Sequence, residues 1–157
     1  MAVFRFTVEI IAPQERVWAV WMDIEQWPAW NPVVSSVTRL DPGPITVGSR
    51  TRILQPKLMP AVWRVTELDE ATGVFTWATS RPGVTVTGTH LVDNIGYGCR
   101  VTLLLTYSGL LGPFLAWSLK ELNWDYLTKE ATGLRQRCEW ESAGPPTGSR
   151  GLPSARP

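Results

Sequence analysis

The longest helical pattern in the chain covers residues 110–140, which read LLGPFLAWSLKELNWDYLTKEATGLRQRCEW. At 1.5 Å per residue, a helix of about 30 residues is about 45 Å long, enough to cross a whole β-sheet. With 100° between successive residues, two neighbouring arcs of this helix are apolar, so we predict that it is covered on two sides. The first arc holds Leu111, Leu115, Leu119, Leu122, Tyr126 and Gly133, and the second holds Trp117, Trp124, Leu127, Ala131, Leu134 and Cys138.

Gly133 lies in the middle of the first arc. Glycine costs about 1 kcal/mol relative to alanine in a helix interior. Its position therefore indicates that another segment approaches the helix closely there.

The residues before this helix contain short β-rich runs separated by turn sequences at intervals of roughly 8 to 12 residues, which is typical of an antiparallel sheet. Each turn sequence contains glycine or proline. These turns delimit six predicted strands, at residues 33–40, 48–55, 61–69, 74–80, 84–92 and 99–108. An alternating run at residues 3–11, VFRFTVEII, predicts one further strand at the start of the chain.

Successive side chains of a strand point to opposite faces of a sheet. One face of the predicted strands carries Thr66, Thr76, Thr85, Thr87, Thr89, Thr102 and Thr106, which suits a solvated surface. The opposite face must then point inward. It is mostly aromatic and aliphatic, with two polar groups, the imidazole of His90 and the hydroxyl of Tyr107. Its members are Trp63, Val65, Phe75, Trp77, Val84, Val86, His90, Val101, Leu103, Leu105 and Tyr107.

Residues 12–32 connect the first strand to the rest of the sheet. Ala12-Pro13 opens a short helix that we expect to end near Asp23. The sequence from Trp27 to Pro32, WPAWNP, contains two prolines, and each restricts the residue before it to extended geometry. We therefore expect a rigid aromatic elbow that does not continue the helix.

Composition limits the classes of function. The chain has 157 residues, of which 44% are hydrophobic and 18% charged, so it should fold as one domain. We assign this domain to residues 1–140 and predict a disordered tail at 141–157, which is rich in glycine, proline and serine. The net charge of +1, without a long basic run, argues against a nucleic-acid partner.

Several kinds of chemistry have no support in the sequence. Cys99 and Cys138 lack metal-ligand or CxxC spacing, which favours a reduced, cytoplasmic protein. One histidine cannot build a His-rich metal site, and no GxSxG, Walker or GxGxxG motif is present, so we expect neither a metal nor a cofactor. No signal peptide or run of about 18 apolar residues is found, so we expect no membrane insertion.

The element order is a strand, two short helices, six antiparallel strands and a long C-terminal helix. This order resembles the helix-grip fold of the SRPBCC or START-like (Bet v 1-like) superfamily, and within it the bacterial polyketide cyclase/dehydrase-like proteins. The resemblance covers residues 1 to about 138. The motifs that carry it are Ala12-Pro13, Val17-Trp18, Asp23, Trp27-Pro28-x-Trp30-x-Pro32, Gly48-Ser49-Arg50, Gln55-Pro56, Val62-Trp63-x-Val65, Phe75-x-Trp77, Pro82-Gly83, His90 and Ser108-Gly109.

The resemblance implies an α+β fold in which a curved seven-stranded antiparallel sheet wraps around the C-terminal helix. It also implies a large apolar cavity, which in various members holds lipids, sterols, isoprenoids or polyketide-like aromatics. A bent sheet and one helix cannot fill the enclosed space with aliphatic side chains alone, which independently favours a pocket. The candidate ligand-binding residues are Trp27, Trp30, Gln55, Trp63, Val65, Phe75, Trp77, Val86, His90, Leu103, Leu105, Tyr107, Leu115, Leu119, Leu122 and Tyr126.

Three functions stay open at this point. The first is binding of a hydrophobic small molecule, with the aromatic side chains as walls, although the same side chains also suit a plain core. The second is a cyclase or dehydratase in which His90 and Tyr107 move protons. The third is a protein-interaction module or homodimer that uses Trp117 and Trp124.

Overall fold

The computed structural model of the chain describes residues 1–143, with side chains through residue 140. Its seven strands are β1 (Ala2–Ile10), β2 (Ser36–Arg39), β3 (Arg50–Leu54), β4 (Ala61–Asp69), β5 (Val74–Arg81), β6 (Val84–Asn94) and β7 (Cys99–Ser108). They form one antiparallel sheet in the order β1-β7-β6-β5-β4-β3-β2. The first strand thus pairs with the last, and the other neighbours follow each other along the chain.

The helices are α1 (Gln14–Met22), α2 (Trp27–Trp30), α3 (Gly112–Ser118) and α4 (Lys120–Ala143), with a 3-10 turn at Ile24–Gln26. Two short helices after β1 and a long C-terminal helix across a curved sheet confirm the predicted α+β helix-grip fold. Within the described residues, no helix is both long enough and apolar enough to cross a membrane. Helix α4 runs past the expected domain boundary at residue 140, and the rest of the predicted tail, residues 144–157, lies outside the described residues.

The predicted helix over residues 110–140 is divided in two, because α3 ends at Ser118 and Leu119, with φ of −102° and ψ of 13°, separates it from α4. The amide of Leu119 donates to the carbonyl of Leu115 at 2.9 Å, and the amide of Asn123 donates to the carbonyl of Leu119 at 2.8 Å. Hydrogen bonding therefore continues through this junction. Helix α3 contacts β1, β6 and β7, and α4 contacts β1 and β7.

The expected elbow at residues 27–32 is a helical turn in its first half. Trp27 has helical φ and ψ of −54° and −39° although Pro28 follows it, because a proline is tolerated in the first turn of a helix. Asn31, which precedes Pro32, is extended as expected. The indole N–H of Trp27 donates to the carbonyl oxygen of Trp21 at 3.1 Å.

The threonine face of the sheet is only partly solvated. Thr76 and Thr102 are buried, so the expectation of a solvated face is wrong for these two side chains. The hydroxyl of Thr76 donates to that of Thr89 across the β5–β6 pair at 3.4 Å, so hydrogen bonding between strands replaces water at this position.

The close approach predicted at Gly133 is present. A Cβ atom built on Gly133 would overlap the carbonyl oxygen of Trp30 and lie 3.5 Å from Cδ of Pro32. Around this contact the side chains of Ala131, Leu134 and Cys138 are fully buried. The C-terminal half of α4 is therefore packed directly against the α2 turn and the sheet.

We expect Gly133→Ala to destabilise the protein by about 1–3 kcal/mol, because main-chain atoms of Trp30 must move to admit the methyl group. Helix propensity alone would instead stabilise the variant by about 1 kcal/mol. Urea unfolding measures the difference, with Thr132→Ala at the exposed neighbouring position as the control. A Gly133→Ala variant more stable than the wild type would contradict the contact.

The two cysteines, Cys99 in β7 and Cys138 in α4, are free and fully buried. Burial raises the pKa of Cys99 to about 11 and the pKa of Cys138 to about 12. An unfolded cysteine has a pKa of about 8.5, so above that pH the unfolded chain loses protons that the folded chain keeps. Stability must therefore fall as pH rises.

We expect the free energy of unfolding to fall between pH 8 and pH 9.5, by at most about 1.4 kcal/mol per pH unit for each thiol. Urea titrations across this range measure the slope. The Cys99→Ala/Cys138→Ala variant should show a flatter dependence, because it has no thiol to ionise in the unfolded state. An equal slope in the variant and the wild type would show that other groups cause the loss.

Candidate functional site

A cavity of about 330 Å³ lies between the concave face of the sheet and helices α3 and α4. Small-molecule pockets in proteins span about 300–1,000 Å³, so this cavity is at the small end of that range. The predicted wall residues that line it are Trp27, Gln55, Trp63, Trp77, Val86, His90, Leu103, Leu105, Tyr107, Leu115, Leu119 and Tyr126.

Four residues predicted for the wall are not among its lining residues: Trp30, Val65, Phe75 and Leu122. Phe75 is fully buried and stacks on the ring of His90 at 4.9 Å, while Trp30 packs on Trp27 at 5.4 Å. Val65 is also buried in the core. Leu122 falls outside the face of α4 that meets the cavity, which carries Asn123, Tyr126, Leu127 and Glu130.

The wall also contains polar residues that were not predicted from the sequence, and two of them, Asn123 and Glu130, lie on α4. A search for an apolar stripe passes over polar side chains. However, Asn123, Tyr126 and Glu130 follow Leu119 by four, seven and eleven residues. This spacing places all of them on one face of a helix. The spacing is therefore the sequence feature that predicts Asn123 and Glu130 as wall residues. Other lining residues, among them Leu58, Met59 and Arg81, lie in or beside turns, where strand alternation predicts nothing.

An aromatic cluster forms one wall of the cavity. The ring of Trp77 lies 5.2 Å from that of Trp27 and 5.6 Å from that of Trp63. Gly88, directly opposite Trp77 on the next strand, makes room for this packing, because a Cβ atom there would lie 3.1 Å from the indole nitrogen of Trp77. Tilted and edge-on ring pairs of this kind contribute about 0.5–1.5 kcal/mol each beyond burial.

His90 lies within this cluster and pairs with a carboxylate. Its Nε2 donates to Oε1 of Glu130 at 3.0 Å, and both side chains are largely buried. Rings of Trp21, Trp27 and Phe75 surround the imidazole. Since the hydrogen bond to Glu130 places a proton on Nε2, the neutral ring has Nδ1 as an acceptor. Such a pair can hold an imidazole in one orientation for proton transfer.

The hydroxyl of Tyr107 is another polar group of the wall. Its hydroxyl donates to Oδ1 of Asn123 at 2.9 Å. Burial raises the pKa of Tyr107 above its usual value, and it does the same for Tyr126. Both phenols are therefore neutral hydroxyl groups near pH 7.

Four lining residues carry a buried polar atom that has no hydrogen-bond partner within residues 1–140. These atoms are Nε1 of Trp63, Nδ2 of Asn123, the hydroxyl oxygen of Tyr126 and Nδ1 of His90. The first two are donors only, and the hydroxyl also donates. Three of these four unpaired atoms can therefore donate, and all four lie just beneath the accessible surface of the cavity. Among the described residues, no group of three or more histidine, cysteine or acidic side chains is placed to hold a metal ion.

Comparison with known proteins identifies a matching family and structures that share the fold. The model of the family "Polyketide cyclase / dehydrase and lipid transport" matches residues 1–139. No curated protein matches the chain.

Solved structures share the fold at low sequence identity. TTHA0849 from Thermus thermophilus superposes with a TM-score of 0.72 and 22% identity over 92% of this chain and 100% of its own. The Zhui aromatase/cyclase from Streptomyces sp. R1128 superposes with a TM-score of 0.75 and 16% identity, over 91% of this chain and 98% of its own. The major latex-like protein 151 from Panax ginseng superposes with a TM-score of 0.70 and 14% identity, over 87% of this chain and 97% of its own. The family match covers nearly all of the described residues, and the chain thus belongs to the polyketide cyclase/dehydrase and lipid transport family.

Proposed function

We propose that the protein binds a hydrophobic small molecule in the cavity between the sheet and helices α3 and α4. The observation that carries this proposal is the cavity itself, about 330 Å³ of space walled mainly by indole, phenol and leucine side chains. Apolar surface that a ligand buries there contributes about 25 cal/mol per Å². The family's description, which names lipid transport and polyketide cyclisation, supports the same ligand classes.

The polar atoms of the wall narrow the ligand further. A pure hydrocarbon would leave the N–H donors of Trp63 and Asn123 and the hydroxyl of Tyr126 without partners. A ligand oxygen that meets one of these donors after a small shift of the side chain gains a hydrogen bond, which contributes about 0.5–1.5 kcal/mol. Among lipids, isoprenoids and polyketide-like aromatics, we therefore favour aromatic ketones and phenols.

We expect an acetylnaphthalene to bind more tightly than naphthalene by about threefold to tenfold, because one hydrogen bond contributes about 0.5–1.5 kcal/mol. Quenching of tryptophan fluorescence measures both affinities, since Trp63 and Trp77 line the cavity. Equal affinities would show that the wall donors do not contact the ligand. The absence of binding across this pair, a naphthol and a fatty acid would contradict the proposed function.

A pair of variants tests where the ligand binds. Val86 lines the cavity, and Thr87, the next residue of β6, does not. We expect Val86→Phe to weaken binding of the acetylnaphthalene at least about tenfold, because the added ring occupies the space that the ligand needs. Thr87→Phe on the opposite face should leave affinity unchanged. Wild-type affinity in Val86→Phe would place the ligand elsewhere.

A second function, proton transfer on the bound ligand, is favoured by the His90–Glu130 pair in the cavity wall. In this reaction a nitrogen of His90 takes a proton from the carbon next to a ligand ketone, and the C–H electron pair becomes an enolate. Glu130 keeps the imidazole in its orientation. The wall donors, including Trp63 and Tyr126, stabilise the enolate oxygen. Cyclisation and dehydration of a polyketide chain both begin with this step.

We expect the protein to catalyse exchange of the acetyl protons of an acetylnaphthalene for deuterium in D₂O, which NMR detects. His90→Gln should abolish the catalysed exchange, and Glu130→Gln should slow it at least about tenfold. Both variants should still bind the ligand. Wild-type exchange in His90→Gln would exclude His90 as the base, and loss of folding in that variant would instead show a structural role.

We further propose that the domain is cytoplasmic. Two free, fully buried thiols, Cys99 and Cys138, support a reducing compartment.

A further inference from the structure

The mouth of the cavity is formed by three segments that hydrogen-bond to one another. These are the β3–β4 loop at residues 55–60, the β5–β6 turn at residues 81–84, and α3 with the turn before it, residues 109–118. Nη2 of Arg81 donates to the carbonyl of Pro60 at 2.7 Å, and the amide of Leu111 donates to the carbonyl of Gly83 at 2.9 Å. Met59 and Arg81 line the cavity and are also exposed, which places the opening here. We call these three segments the rim.

The rim exposes large apolar side chains. Leu110 is 95% exposed, Trp117 is 74% exposed and Phe114 is 62% exposed, and the last two rings lie 6.3 Å apart. The opposite side of α3 carries Leu115, which lines the cavity, and the buried Ala116. Helix α3 is therefore apolar around its circumference, whereas a helix of a soluble domain usually presents one polar face to water. Nothing within residues 1–143 covers its outer side.

The charges of the rim have one sign. These three segments contain Lys57 and Arg81 and no aspartate or glutamate, whereas Lys120, beyond the end of α3, is followed by Glu121. The whole chain, by contrast, carries a net charge of only +1. Positive charge and exposed apolar surface therefore coincide around the opening of the cavity.

We propose that the rim docks on the surface of a bilayer that contains anionic phospholipid. Leu110, Phe114 and Trp117 would enter the interfacial layer, where an indole ring suits the boundary between headgroups and acyl chains. Lys57 and Arg81 would contact lipid phosphates, and each basic residue near an anionic membrane contributes to attraction. This docking is peripheral and needs no membrane-spanning helix. It limits the earlier expectation of no membrane insertion to segments that would cross the bilayer.

A bilayer fits the rim better than a second copy of the chain. A symmetric dimer through α3 would bring Lys57 and Arg81 of both copies to one interface, where they repel. A lipid surface instead supplies both the apolar layer for Trp117 and the negative charge for Lys57 and Arg81. Docked in this way, the cavity opens directly towards the bilayer. The docking does not depend on which ligand the cavity holds.

Sedimentation with vesicles tests this proposal. We expect the wild type to bind vesicles of 70% phosphatidylcholine and 30% phosphatidylglycerol, and to bind pure phosphatidylcholine vesicles much more weakly. Trp117→Ala should weaken binding to the anionic vesicles at least about fivefold. Trp140→Ala is the matched control, because it removes an exposed indole far along α4 from the rim. Lys57→Gln should also weaken binding to the anionic vesicles, whereas Lys120→Gln, beyond the end of α3 and next to Glu121, should have a smaller effect.

Three results would overturn the proposal. The first is no sedimentation of the wild type with anionic vesicles. The second is an equal effect of Trp117→Ala and Trp140→Ala. The third is a dimer in the absence of lipid, measured by light scattering, that Trp117→Ala dissociates, since the apolar face would then bind a second copy. Because the substituted side chains are exposed, unfolding midpoints of all variants should match that of the wild type.

Discussion

The tight contact between α4 and the Trp27–Trp30 turn determines how the C-terminal helix lies over the sheet. At Gly133 the helix touches the carbonyl of Trp30, and only the absence of a side chain permits this distance. Beyond this point α4 is closely packed, as the burial of Leu134 and Cys138 shows. Before it, the side chains of Asn123, Tyr126 and Glu130 face open space. The cavity therefore lies along the part of α4 that precedes this contact.

Much of this arrangement follows from the sequence. Strict alternation in β6 and β7 is enough to place His90 and Tyr107 on the inner face, and glycine or proline in each turn defines the hairpins. The position of Gly133 within an apolar stripe predicts a close contact, which the structure contains. These features are local or strictly periodic, so no knowledge of the tertiary structure is needed to find them.

Other features depend on the tertiary structure. Alternation tells which face a residue occupies, but it does not tell whether a side chain reaches the cavity or lies beneath other rings, as Phe75 does under His90. No glycine or proline marks the junction between α3 and α4 at Leu119, and α3 contacts strands β1, β6 and β7 that are distant from it in the sequence. Glu130 belongs to the wall because it pairs with His90, forty residues away in the sequence.

Polar groups are few in the wall, and their arrangement gives the cavity its chemical character. The carboxylate of Glu130 orients the imidazole of His90, and the side-chain amide of Asn123 accepts a hydrogen bond from the hydroxyl of Tyr107. Several donors have no partner. An apolar space with such a donor set selects ligands that combine a hydrophobic body with oxygen atoms. The central claim is that this space is open rather than filled by side chains.

A crystal exposed to xenon under pressure tests that claim most directly, because xenon enters apolar cavities and scatters strongly. We expect xenon density between Trp63, Leu105 and Leu119, on the concave side of the sheet. A structure in which side chains occupy this volume, with no xenon between the sheet and α4, would contradict the account.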